Sequence, residues 1–320
     1  MSGQSNFDVE KRAFLCLAMI KGVGFQTLWQ LAESECSFHA VFNLSGNELA
    51  KTLNSKGARV AQGSNLDWTR IKSASEKEVA QLDATFRNLQ IQVVFRSDDS
   101  YPQSLLDLED APHWLFVQGN VEILRAPSVA IVGTREPSAD GLWLADYVGL
   151  TLGHWGHPTV SGLALGIDQA IHTASLTAGV PTIAVLGTGI TLDYPKNIGP
   201  LRQKIIAAGG AVISEYLPGD IYSAMNFVRR NRLQAALARA LIPVEWKERS
   251  GTAHTVRYAA NLGRPIAGLR LPTWQARQVI IPRGSGPRQV FTVPGQDDEF
   301  RSFVDKFLRD TNMYRQTSFL

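Results

Sequence analysis

The chain has 320 residues, with 32 Lys and Arg against 29 Asp and Glu and a formal charge of +3. Hydrophobic residues make up 44% and charged residues 19%, a globular composition that excludes a disordered, collagen-like or coiled-coil protein. Two cysteines, Cys16 and Cys36, exclude a disulfide framework and a cysteine-rich zinc site. The N-terminus lacks the apolar core of a signal peptide and no apolar run reaches the ~18–20 residues of a membrane span, so a cytoplasmic location without membrane partners is expected.

The length exceeds the ~250–300 residues at which a single core stops growing, so a main domain with smaller attachments is expected. The divisions expected are a small helical domain over 1–65, an α/β domain over 66–296, and a C-terminal helix and tail over 297–320. In the first, AFLCLAMI (13–20) is apolar, and helical patterning resumes over 21–34 after Gly22 and Gly24. A helix–Gly–x–Gly–helix hairpin either packs two small helices, the commoner case, or offers its amides to a DNA backbone. A further helix is expected over 46–53 and a polar linker over 54–66. A helix over 67–90 precedes a strand at 91–96, a turn-rich stretch around Pro102 and Pro112, and a short strand at 115–119.

From residue 128 the pattern alternates. Strands are expected at 128–132, 158–164, 181–187, 211–216, 240–246 and 264–269, with helices at 139–154, 167–178, 200–210, 229–239 and 253–263. Short apolar strands alternating with helices of 10–15 residues mean βαβ units and a doubly wound, mostly parallel sheet. The stretch 272–290 reads as a β-hairpin or a disordered basic loop, and 297–310 as a helix with Asp297 and Asp298 at its start.

The small net charge hides an asymmetry. Residues 1–125 carry −3 and residues 126–320 carry +6. Residues 229–288 hold 12 basic side chains, 11 of them arginine, against Glu245 and Glu248. Arginine grips phosphate with a planar fork, so this bias is read either as an anion-binding face or as a solvated surface.

Ligands of open α/β sheets collect beyond the carboxyl ends of the strands, so the turns there are the candidate sites. GTREPSADG (133–141) offers Gly133 and Thr134 for close backbone approach and Arg135 at the mouth, without a dinucleotide fingerprint. SGLALGID (161–168) supplies Ser161, Gly162 and Gly166. Asp168 and His172 are four residues apart on one helix face and are read as a structural pair bracing the loop, since a third metal ligand and a nucleophile elbow are both missing. GTGITLDYPKNIGPL (187–201) places Lys196 and Asn197 before a helix. NFVRRNRLQAALAR (226–239) puts Arg229, Arg230, Asn231 and Arg232 at an expected helix start, where three arginines oppose the dipole. Glu215 and Glu245 are their candidate internal partners. ERSGTAHTV (248–256) adds Ser250, Gly251 and Thr252 before a further helix.

Taken in order, YPQSLLDLEDAPHWLFVQGN (101–120), IVGTR (131–135), SGLALGID with His172, AVLGTGITLDYPKN (184–197), ISE (213–215), NFVRRNR (226–232), VE (244–245) and SGT (250–252) resemble the DNA processing protein A (DprA/Smf) family, over roughly residues 10–270. The resemblance implies an extended Rossmann-like domain behind a small helix-hairpin, SAM-like domain. It implies a non-catalytic single-stranded DNA-binding protein, acting in DNA uptake, recombination or phage-defence-linked DNA handling and protecting the strand. A homodimer and the loading of a RecA-type recombinase are implied with it. Arg135 and Lys196 would contact phosphates; Ser161, Gly162 and Gly166 would shape the pocket; Arg229, Arg230 and Arg232 would line or support it. Where family members carry a proline before the arginines, this chain has Val228. Residues 270–295 look like an insertion, and no winged-helix domain is expected after it. No metal or cofactor is expected. The alternative is a nucleotide-binding or nucleotide N-glycosidic-bond-hydrolysing enzyme on a related fold.

Overall fold

Asp8 opens the first helix by accepting a hydrogen bond from the Lys11 amide (2.8 Å) in a computed structural model that describes residues 8–61, 67–274, 279 and 281–309. The chain divides into two compact units, residues 1–96 with 113–116, and residues 97–112 with 117–320.

The first unit contains α1 (Val9–Met19), α2 (Phe25–Glu33), α3 (Phe38–Phe42), α4 (Gly46–Ser55), α5 (Trp68–Asn88) and β1 (Ile91–Phe95). It ends after Arg96 rather than at residue 65, because α5 packs on α1 and brings β1 with it. Phe14 is fully buried, with its ring 5.1 Å from Phe38 and 4.8 Å from Trp114. Gly22 holds φ 95° in the turn between α1 and α2, and its carbonyl accepts from the Arg59 amide (3.0 Å). Residues 56–61, expected in a linker, therefore fold back on the hairpin. The remainder of that expected linker, 62–66, lies outside the described residues.

The second unit is the α/β body. After β2 (Trp114–Gly119), which straddles the division, come β3 (Val129–Val132), α6 (Ala139–Trp155), β4 (Thr159–Ser161), α7 (Ile167–Thr177), β5 (Thr182–Val185), α8 (Gly199–Ala207), β6 (Ala211–Ser214), α9 (Ala224–Leu237), β7 (Ala240–Pro243), α10 (Gly251–Asn261), β8 (Ile266–Arg270), β9 (Arg288–Thr292) and α11 (Asp297–Arg309). The strand order is β6-β5-β4-β3-β7-β8-β9. The pairs β3–β4, β3–β7, β4–β5, β5–β6, β7–β8 and β8–β9 are all parallel. Alternate residues Val129, Ile131, Ala240, Ile242, Ala267 and Leu269 share one buried layer with α6, α7 and α11, and α9 and α10 pack against the strands through the opposite side chains. The sheet is thus doubly wound and parallel, as the alternation predicts.

Three differences from the sequence reading have physical causes. The described residues of the 272–290 region show no hairpin: β9 adds to β8 in parallel register, and 275–278 and 280 lie outside the described residues. The C-terminal helix is no separate attachment: Phe300, Val304 and Leu308 lie in the main core. The expected tail beyond residue 309 lies outside the described residues. Helix α9 begins at Ala224, because the Ser223 hydroxyl caps it by accepting from the Asn226 amide (3.0 Å). The three arginines therefore stand beyond its first turn, not at its start.

Strands β3 and β7 are neighbours whose crossovers leave in opposite directions, β3 to β4 and β7 to β8. The switch point lies between them, at the carboxyl ends where ligands of such sheets collect.

Candidate functional site

A cleft of about 350 Å³ opens beside this switch point. Its lining includes Gly133, Thr134 and Arg135 after β3, Asp168 from α7, Phe227, Arg230, Asn231 and Gln234 from α9, and Ser250, Gly251 and Thr252 at the start of α10. Close approach of backbone segments dictates the glycines. A methyl on Gly133 would lie 2.5 Å from the Ile167 side chain. Gly166, at φ 81°, sits against the carbonyls of Thr134 and Arg135. Gly162 faces the Arg230 guanidinium and would bring a methyl to 2.5 Å from the Asp168 carboxylate. The turns are tied to each other: the Thr134 amide donates to the Glu245 carbonyl (2.7 Å), the Ile167 amide to the Thr134 carbonyl (3.1 Å), and the Thr252 hydroxyl to the Gly133 carbonyl (2.8 Å). Ser250 caps α10, and Asn231 Nδ2 donates to the Gly251 carbonyl (3.0 Å).

The cations differ in surroundings. Arg135 is exposed, with its guanidinium 4.9 Å from the Phe227 ring centre. Arg230 approaches the same ring at 5.8 Å, yet is only 3% exposed. Its Nη1 donates to the Val185 carbonyl, while its Nε is buried without a partner. Burial lowers the Arg230 pKa to about 10, opposed by Asp168, so it stays charged at neutral pH. Burial pushes the Asp168 carboxyl up, and Arg230 opposes that rise. The Gln234 amide, with its oxygen turned to the loop, accepts from the Gly162 amide (2.8 Å) and from Arg230 Nη1 (2.9 Å).

Arg232 lies apart from this group. It is 2% exposed and pairs with Glu215 (2.6 Å) and Asp110 (2.8 Å). Burial disfavours its charge, but these carboxylates more than offset that, so its pKa is raised. Arg229 stands 3.9 Å from Glu215 and 4.0 Å from Asp110. Glu215 is thus an arginine partner, as its place after a strand suggested. Glu245 instead accepts from the Ser138 amide (2.9 Å) at the start of α6, where the helix end favours an acid.

The expected Asp168–His172 pair does not form. His172 Nδ1 bonds Thr182 Oγ1 (2.7 Å), and its Nε2 is buried without a partner. His172 is fully buried, and its ring turns to Thr182 of β5 rather than to Asp168. Ser161 is likewise buried, donating to the Ile131 carbonyl (2.7 Å), and shapes the loop from behind. Lys196 and Asn197 are exposed and do not line the cleft. Their loop reaches it through Tyr194, whose ring lies 5.2 Å from Phe227 and 4.4 Å from Tyr222.

The sequence reading missed Phe227, Gln234 and Asp110. Phe227 had a signal: it precedes Arg230 by three residues and so shares its helix face. Asp110 had none, since 122 residues separate it from Arg232. Among the described residues no group of His, Cys, Asp and Glu is placed to hold a metal.

A parallel, doubly wound sheet with a glycine-walled, arginine-bearing cleft beside its switch point defines a Rossmann-like fold whose cleft has the chemistry to receive an anion. The family model for DNA recombination-mediator protein A matches residues 92–279, and the chain belongs to that family. It is 43% identical over 169 residues to DNA processing protein DprA of Streptococcus pneumoniae, covering 53% of this chain and 59% of that protein. It is 38% identical over 173 residues to Protein Smf of Escherichia coli, covering 54% and 46%. The chain thus spans about half the length of such relatives. The X-ray structure of DNA processing protein A from S. pneumoniae matches 91% of this chain and 96% of its own, with a TM-score of 0.62 at 29% identity. The DNA processing protein A structure from Helicobacter pylori, described for its single-stranded DNA binding mode, matches 68% and 98%, with a TM-score of 0.57 at 24% identity, and shares the fold.

Proposed function

We propose that this chain binds single-stranded DNA through its phosphate backbone and acts in DNA recombination, with no chemical step of its own. The observation that carries the reading is the placement of Arg135 and Arg230 on one Phe227 ring, in a cleft whose glycine walls and α10 start bring backbone amides to an anion. Tyr194, Tyr222 and Phe227 form a ring cluster beside it, and aromatic faces with cations suit unpaired strands of any sequence. Family membership and the single-stranded DNA binding of the H. pylori protein support the same ligand. Strand protection, a homodimer and the loading of a RecA-type recombinase belong to this proposal through the family. Among the described residues, the one carboxylate lining the cleft is Asp168, which lies buried beside Arg230, an arrangement suited to holding the cation in place.

The test is fluorescence anisotropy of an unstructured strand of about 30 nucleotides against its duplex over a salt series. Preference for the single strand, with affinity falling as salt rises, is the expected result. Absence of binding to the strand at low salt would overturn the proposal.

A further inference from the structure

A second cavity, of about 630 Å³, adjoins the cleft and shares Thr134 and Ser250 with it. It occupies the switch point itself. One wall is the segment from Glu136 to Asp140 at the start of α6; the other is Val244 to Lys247 after β7. Two tryptophans line it, Trp246 and Trp274, both half-buried. Trp274 is held in place. Its amide donates to the Leu271 carbonyl (3.0 Å), its indole Nε1 to Asp140 Oδ2 (2.7 Å), and its ring packs on the main core.

The charge of this cavity differs from that of the cleft. Among the described residues that line it, Glu136, Asp140 and Glu245 stand against Lys247. Glu245 is occupied by the Ser138 amide and Asp140 by the Trp274 indole, but a carboxylate-rich wall still disfavours a phosphate. It favours a flat, neutral group that carries N–H donors. Indole faces favour a flat π-system, and stacking on them does not depend on which base is offered.

Resting on the reading of the cleft as a strand-binding site, we propose that the cavity lined by Trp246 and Trp274 is a base-stacking subsite. It takes an unpaired nucleobase of the strand whose phosphates lie in the cleft. The strand passes from one cavity to the other over Thr134 and Ser250, with its backbone toward Arg135 and one base turned in beyond the carboxyl ends of β3 and β7. A duplex, whose bases are already stacked and paired, cannot fill it. The subsite therefore contributes to the preference for a single strand.

The test separates base from backbone. Binding of an ordinary strand of about 30 nucleotides is compared with that of a strand of equal length bearing only abasic sites, using the full chain and its Trp246→Ala and Trp246→Phe variants. The ordinary strand is expected to bind the unaltered protein more tightly than the abasic one. Trp246→Ala should weaken the ordinary strand by about tenfold and leave the abasic strand unchanged, and Trp246→Phe should restore most of the loss. A strand carrying 5-iododeoxyuridine, irradiated in the complex, should crosslink to Trp246 or Trp274, read by mass spectrometry. Equal weakening of both strands by Trp246→Ala, or crosslinks confined to other residues, would overturn the subsite while leaving the cleft intact. If neither strand binds the unaltered protein at low salt, the cleft reading fails and the subsite with it.

Discussion

Arg232 and Glu215 form a two-pronged ion pair in the interior of the α/β body, Nη1 to Oε1 at 2.6 Å and Nη2 to Oε2 at 2.8 Å, with side chains 2% and 1% exposed. The pair joins the end of β6 to α9, and Asp110 completes it from the turn-rich stretch before β2. Arg232 is therefore a structural residue in a motif whose Phe227, Arg230 and Asn231 line the cleft. Removing one member of a buried pair strands the other charge. Glu215→Gln should destabilise the fold by about 3 kcal/mol, measured by urea unfolding at neutral pH. Adding Arg232→Met should recover part of that loss. A cost of a few tenths of a kcal/mol for Glu215→Gln would show that Asp110 alone satisfies the guanidinium.

Gly162 is the glycine at which an added methyl would meet the polar side chains behind the cleft. Its α-carbon faces Arg230, Asp168 and Gln234 together, so an added methyl displaces three polar partners at once. Gly162→Ala should cost about 1–3 kcal/mol of stability through overpacking. It should also weaken single-stranded DNA binding more than Gly153→Ala, where a methyl meets open space. Equal affinities for the two variants would mean that the Arg230 arrangement is not needed for binding.

Legibility followed the range of the interactions. The strand–helix alternation from β3 to β8 could be read because each element carries its own period, and the loops after β3 and β4 because close approach demands Gly133, Gly162 and Gly166. Helix α9 starts five residues before the expected 229, because the Ser223 cap precedes a first turn with little apolar periodicity. His172 was paired with Asp168 on helical spacing, whereas its partner Thr182 comes from the neighbouring strand β5. Parallel addition of β9 to β8 left no local trace, because a parallel pair is decided across a crossover rather than at a turn. The neighbouring cavity beyond the carboxyl ends of β3 and β7 leaves no local trace either: Trp246 and Trp274 are 28 residues apart and come to line one cavity only through the fold.

His172 makes stability depend on pH. Burial, with Arg230 adding to it, lowers its pKa from 6.5 to about 3. The unfolded chain therefore binds a proton between pH ~6.5 and ~3 that the folded chain does not, so this residue makes stability rise with pH across that window and fall on acidification. Asp168, whose carboxyl is raised by burial, contributes with the opposite sign above its unfolded value. Chemical denaturation from pH 7 to pH 5 should show a loss of stability that is smaller in His172→Gln. An unchanged pH slope in that variant would mean that His172 is protonated in the fold.

Arg135 and Lys196 should contribute unequally to DNA binding. Arg135 lines the cleft and lies over Phe227, whereas Lys196 is exposed on a loop that reaches the cleft only through Tyr194. A guanidinium preoriented on an aromatic face loses little freedom when it meets a phosphate, and a solvated lysine loses more. Arg135→Ala should weaken single-stranded DNA binding about tenfold, equally for all sequences, and reduce the slope of log affinity against log salt by about one. Lys196→Ala should produce a smaller loss over the same salt series. A normal salt dependence and affinity in Arg135→Ala would place the phosphates elsewhere on the protein, and a larger loss in Lys196→Ala would move the path of the strand toward the Tyr194 loop.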